Sequence, residues 1–423
     1  MLQEISDINL EYKNHKEDVK RLIDRLENEG VNTNQVFDVI KNFQVAIPSW
    51  ALGAGGTRFG RFPFGGEPRS LEEKIQDVSI LNTLTCSANA ISLHIPWDYP
   101  EDVDAIIQVA SLHKIHFDAV NSNTFQDQPD QKYSYKYGSL SHVSHEVRQQ
   151  AIEHNIDVIN IGEKLGSKSL TVWLSDGSNF PGQMNFSHAL QNTQNSLEKI
   201  YAHLPDDWRM FIEYKPYEPN FYHNVIQDWG TSYILADHCG DKAFTLVDLG
   251  HHLPNTNIEN IVSTLMHKGK LGGFHFNDSK YGDDDLTVGS IKPYQLFLIF
   301  NELVFGQFYA KNKCENIAWM IDASHNVKDP LEDLLQSIDA ILIAYTQALC
   351  INQKALHDAR ESNDVVLCQE ILQKAFRTDV RPIVNEMRRL GGGAIDPIMT
   401  YRKLQVRQQL VQKRGSTSRA SGL

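Results

Sequence analysis

Residues 275–286 read HFNDSKYGDDDL: one histidine and four carboxylates (Asp278, Asp283, Asp284 and Asp285), with Lys280 as the one base among them. Taken alone, such a run reads as a solvated loop or a helix start. It does not stand alone. FIEYK carries Glu213 and Lys215 two residues apart, so on a strand both side chains point to the same side. LVDLGHH sets Asp248 and His251 on either side of a turn, SLHIPWD supplies His94 and Asp98, TVWL carries Trp173, and MID ends on Asp322. Each lies at or just past the end of an apolar, strand-like run, where a charge is costly unless it is paired or metal-bound.

Brought together, Glu213, Asp248, Asp283, Asp285 and Asp322 repel one another strongly enough to force several to protonate unless cations intervene. Two divalent ions offset most of that charge. Carboxylates mixed with the imidazoles of His251 and His275 suit Mn²⁺, Co²⁺ or Zn²⁺, and the lack of thiolates argues against a structural zinc centre. Glu213 is central enough to bridge two ions roughly 3.5 to 5 Å apart.

These residues need a frame. Short apolar, β-branched or aromatic runs recur at 44–50, 89–95, 116–122, 168–174, 210–215, 243–249, 271–277 and 316–322. Segments with helical spacing, such as PEDVDAIIQVASLHK and FSHALQNTQNSLEKIYAHL, separate them and are long enough for crossover helices. Strand and helix alternating eight times predict an α/β fold, a (β/α)8 TIM barrel, whose reactive groups gather at the carboxy ends of the strands. An amphipathic helix over 16–29 belongs to an amino-terminal helical extension, residues 1–43; the barrel occupies 44–340, and 341–423 form a helical arm with a flexible basic tail. An open nucleotide-binding sheet is excluded: GAGGTRFG has Arg58 where G-x-G-x-x-G needs its third glycine, and no G-K-[ST] follows.

A net charge of −13 disfavours nucleic acid as a partner. No apolar run approaches a membrane span, and the opening residues lack the features of a signal or transit peptide. Five scattered cysteines without a C-x-x-C pair fit no disulfide framework, so the cytoplasm is the expected compartment.

The segments SLHIPWD, TVWLSDGSNFPGQ, FIEYKPYEP, LVDLGHH, GFHFNDSKYGDDDLTVG and MIDASHN, in this order, together with GAGGTRFG and GGGAIDPIMTYR, resemble the L-rhamnose isomerases among the xylose-isomerase-like barrels. The resemblance covers nearly the whole chain. It implies two divalent ions per subunit, Mn²⁺ before Co²⁺, Zn²⁺ or Mg²⁺. Glu213, Asp248, His275 and Asp322 would hold a structural ion, and Glu213, His251, Asp283 and Asp285 a catalytic one, with Asp284 pointing away. Lys215, His94 and Asp285 take catalytic roles in this reading, and His94, Trp97, Trp173, Lys215 and Phe59 contact the sugar. His94, with a pKa near neutrality, would open the sugar ring. The implied reaction interconverts L-rhamnose and L-rhamnulose, and related sugars such as L-lyxose, L-mannose and D-allose. It would run by proton transfer through a metal-bound water or by a hydride shift between C1 and C2. A homotetramer is implied as well, and the aromatic loop RFGRFPFGG is either its reach toward a neighbour or a lid. Xylose isomerases themselves place Glu-x-x-His on the sixth strand, where this chain has Asp248-x-x-His251. The rival functions are a ketose 3-epimerase with a single ion and a multi-metal DNA-repair endonuclease on the same barrel.

Overall fold

The computed structural model describes residues 1–53, 62–174, 176–178, 182–218, 223–311, 316–324 and 327–416. Among them, eight parallel strands close into a barrel: β1 (Ala46–Pro48), β2 (Ala90–Ile95), β3 (His116–Ser122), β4 (Ser169–Trp173), β5 (Arg209–Glu213), β6 (Ala243–Asp248), β7 (Leu271–Phe276) and β8 (Ala318–Ile321). Seven fall within the runs expected from sequence, β5 begins one residue before its run, and helices lie between successive strands.

The period of two along each strand explains why the site lies where it does. Ala46, Ala119, Phe211, Leu246, Ala318 and Met320 form a small apolar cluster of their own. Two residues further along the same strand path stand Glu213 after Phe211, Asp248 after Leu246 and Asp322 after Met320. The polar groups therefore follow the apolar plug on the same side of each strand. Strand register levels them, pairing Trp173 with Glu213 and Asp248 with His275. Lys215 lies just beyond β5, where its backbone N–H donates to Ile226 O at 2.9 Å, and it is buried beside Glu213.

The expected amino-terminal helix is His15–Asn28. The apolar stretch from 330 to 356 contains two helices, Pro330–Leu349 and Gln353–Glu361, bent by 62°. Asn352 is the cause, because its side chain caps the second helix by accepting from Ala355 N at 3.0 Å. No single helix among the described residues is long and apolar enough to cross a membrane. The arm packs back on the body through His15 Nε2 to Glu386 Oε2 at 2.7 Å and Arg388 Nη2 to Asp339 Oδ1 at 2.5 Å. Its last helix, Val406–Arg414, reaches the barrel's first helix, Leu71–Thr85, where Arg414 Nη1 donates to Asp77 Oδ2 at 2.9 Å with both side chains buried. Arg407 of the same helix grips Asp329 and Gly65 O, which joins the segments leaving β8 and β1.

Burial pushes the Asp77 carboxyl up to about 7, so it can protonate if its partner is removed. Arg414→Met is therefore expected to cost about 3 kcal/mol, the low end for breaking a buried pair. Urea unfolding of the two proteins measures the difference.

Candidate active site

Glu213, Asp248, His275 and Asp322 each offer one ligand atom, all within 4.8 Å of one another. His275 Nδ1 is the hub, 3.1 Å from Glu213 Oε1, 3.7 Å from Asp322 Oδ2 and 3.8 Å from Asp248 Oδ2. Asp248, His251 and Asp283 form a second group within the same limit. His251 joins the two, with Nδ1 3.2 Å from Glu213 Oε1 and Nε2 3.5 Å from Asp283 Oδ1.

The first group is the set that the resemblance implies. The second differs in composition. Asp248 takes part in both groups, Glu213 meets the second through His251, and Asp285 is in neither. Asp285 has a left-handed backbone (φ +49°), and its carbonyl accepts from Ser324 N at 2.9 Å, which ties it to the exit of β8. Asp284 turns into its own loop, where Oδ2 accepts from Lys280 N at 2.5 Å and Tyr281 N at 2.9 Å. Asp278 is also internal to the loop, accepting from Ser279 N, Ile291 N and Lys292 N. The acidic stretch thus divides into loop-building carboxylates and site carboxylates. Asp283→Asn is expected to lower Mn²⁺ affinity at the second group by tenfold or more, on the order of 1.4 kcal/mol, and Asp284→Asn to leave it unchanged. Manganese titration followed by electron paramagnetic resonance reads both.

The electrostatics are those of a cation site. Burial opposes the charge on Glu213, yet His275 and then His251 hold its carboxyl well below the usual range. Burial likewise opposes a charged His275, but Glu213, Asp322 and Asp248 carry it up to about 10. Burial first, then the neighbouring Asp285 carboxylate, push Asp322 up to about 6, and burial raises Asp248. Asp248 Oδ2, buried, has no hydrogen-bond partner among the described residues. A buried, unpartnered carboxylate oxygen beside an imidazole nitrogen and further carboxylate oxygens fits a divalent cation, so the residues present suit the ions expected.

Lys215 supplies the one ammonium at this edge that sequence reading placed in the site. Its Nζ lies 2.6 Å from Asp283 Oδ2, also bonds Glu218, and stands 5.3 Å from the centre of the Trp173 ring. Lys280, nearest in sequence, is exposed and lies over its own neighbour Tyr281.

Across the mouth stands an aromatic wall. His94 packs edge-on against Trp97, Trp50 and Phe125 at 4.7, 5.4 and 5.6 Å, and Phe125 meets Trp173 at 4.3 Å. Burial pushes His94 down to about 3, which corrects the near-neutral value expected from its type. The ring is a neutral acceptor, and its backbone N–H donates to Asp98 Oδ2 at 2.8 Å, while Lys74 Nζ holds Asp98 Oδ1 at 2.7 Å. Phe59 lies outside the described residues.

Three contributors were missed. Trp50, just past β1, donates from Nε1 to Asp322 Oδ1 at 2.7 Å. Phe125 follows β3, a strand whose end carries no charge to draw notice, and Asn277 donates to Asp248 Oδ1 at 2.9 Å. Trp50 closes the run QVAIPSW, so its strand-end position was the available signal.

Fold and site together define a closed (β/α)8 barrel with a carboxylate and imidazole cluster at its mouth that could hold metal ions. The chain is 51% identical over 405 residues to a protein of Mesorhizobium japonicum and to one of Rhizobium meliloti, both described as probable sugar isomerases, covering 96% of this chain and 94% of each relative. It belongs to that family. Among solved structures, an L-ribulose 3-epimerase superposes with a TM-score of 0.55 at 12% identity, covering 77% of this chain and 98% of that one. The 3-keto-D-glucoside 4-epimerase of E. coli gives 0.51 at 11%, covering 71% and 99%. At such identities the likeness speaks for the fold. No protein-family profile matches the chain.

Proposed function

We propose that the chain is a metal-dependent aldose–ketose isomerase that interconverts L-rhamnose and L-rhamnulose and accepts related sugars such as L-lyxose, L-mannose and D-allose. The observation that carries the reading is the second ligand group, Asp248, His251 and Asp283, placed beside the first and beside Lys215. An isomerase working across C1 and C2 can use two ions; a single-ion 3-epimerase leaves that second group without a role. Membership in a family of probable sugar isomerases supports the same choice.

Glu213, Asp248, His275 and Asp322, and Asp248, His251 and Asp283, would hold divalent ions, Mn²⁺ first, which would supply Lewis acidity toward sugar oxygens. The chain's own groups do the rest. Lys215 Nζ offers a positioned cation for negative charge developing on O1. Neutral His94, with Nδ1 lacking a partner among the described residues, is placed to accept a hydrogen bond from a sugar hydroxyl. Trp97, Phe125 and Trp173 give the apolar face of the sugar a wall that also excludes water. Asp285 stands outside both ligand groups, with its carboxylate near enough to Asp322 to raise it. A homotetramer belongs to the same proposal, tested by light scattering.

Stripping the protein with a chelator and restoring Mn²⁺ is expected to abolish and then recover ketose formation from L-rhamnose. Failure with all four sugars would overturn the reading, and formation of 3-epimers from ketoses in the same assay would favour the epimerase. Turnover in heavy water separates the two routes, because deuterium at C1 marks proton transfer.

A further inference from the structure

Asp248 is the one carboxylate common to both ligand groups, and its two oxygens are treated differently by their surroundings. Oδ1 accepts two hydrogen bonds, from Asn277 Nδ2 at 2.9 Å and from the backbone N–H of Gly250 at 2.7 Å. Oδ2 accepts none among the described residues and faces His275 Nδ1 at 3.8 Å. With one oxygen held by two donors, rotation about the carboxylate bond is blocked and the other stays presented to the cluster.

Gly250 is part of the device. A Cβ there would lie 3.1 Å from Asn277 Oδ1 and 3.3 Å from both Asp248 Oδ1 and Asp283 Oδ1, so any side chain presses on the pair and on a ligand of the second group. Asn277 is 2% exposed and sits between His275, in the first group, and the loop that carries Asp283 of the second.

We propose that Asn277 is a positioning residue: with the Gly250 N–H it fixes the rotamer of Asp248 and leaves Oδ2 presented to the ligand cluster. The inference rests on the metal-site reading given above. Groups that orient ligands in this way are worth about tenfold to a hundredfold in metal affinity.

The test is Mn²⁺ binding by calorimetry to the chelator-stripped full chain, with thermal melting of the metal-free protein alongside. Asn277→Leu keeps size and removes the donor; Gly250→Ala keeps the donor and crowds it. Both are expected to weaken both binding steps tenfold or more, because Asp248 serves both groups, with little change in the metal-free melting temperature. Asn277→His, which retains a ring N–H donor, is expected to recover part of the loss. Wild-type affinity in either variant, or loss of only one step, overturns the proposal. If the wild-type chain itself takes up no Mn²⁺, the metal-site reading falls and this one with it; if it binds and Asn277→Leu binds equally, this inference alone fails. Should Asn277→Leu not fold, Asn277→Ala against Asn277→His decides, because Gly250→Ala also presses on Asp283.

Discussion

Asp248→Asn is expected to lower turnover by about 10³-fold or more, equivalent to roughly 4 kcal/mol in the barrier, and to leave the barrel folded. No other residue belongs to both ligand groups, so the change removes a charge from two sites at once. Manganese titration should show both binding steps weakened. The same substitution should leave the metal-free protein no less stable. Asp248 is 0% exposed, and burial, with Asp322 and Glu213 adding to it, raises its carboxyl. A raised folded pKa means that the ionised form costs stability near neutral pH, and that cost fades as pH falls. Asparagine removes the charge and still accepts from Asn277 and Gly250. Lost turnover with an undiminished metal-free melting temperature is the joint signature; a large drop in that temperature would show that Asp248 is chiefly structural.

Lys215→Met should cut kcat by about 10²- to 10³-fold while Mn²⁺ still binds, the size expected when one preorganised charge at a developing oxyanion is lost. The ammonium is fixed by Glu218, by Asp283 and by the Trp173 ring, so it is already aimed and need not reorganise. Because Lys215 draws on Asp283, its loss should leave the second ligand group at least as available for metal. KM is expected to move far less than kcat, since the wall of Trp97, Phe125 and Trp173 remains. Steady-state kinetics with L-rhamnose, beside a manganese titration, make the measurement. A variant with wild-type kcat would remove Lys215 from the chemistry.

Strand positions were legible because apolar runs of the right length recur between helical segments, and the plug-then-ligand order follows from a period of two. The strand-end places of Glu213, Asp248, His275 and Asp322 were thus legible, while their grouping as one ligand set came from the resemblance. What lay hidden is tertiary. The neutrality of His94 depends on Trp50, Trp97 and Phe125 arriving from separate strand ends, and no local pattern carries that. Asp285 has a left-handed backbone and its carbonyl accepts from Ser324 N, a contact between two loops that no local pattern carries. The break before Gln353 was readable, since Asn352 is a good cap, but helix formers on both sides obscured it.

The pairing of Arg414 with Asp77 has a consequence for how the molecule is made. Asp77 belongs to the first helix of the barrel, and its cation follows 337 residues later in the chain. During synthesis the first βα unit leaves the ribosome with a carboxylate that has no counter-charge to accompany it inside. That unit gains its buried counter-charge only once helix Val406–Arg414 has been made, so this contact is among the late ones to form. A message truncated before codon 414 would yield a barrel whose first helix carries Asp77 without its Arg414 partner.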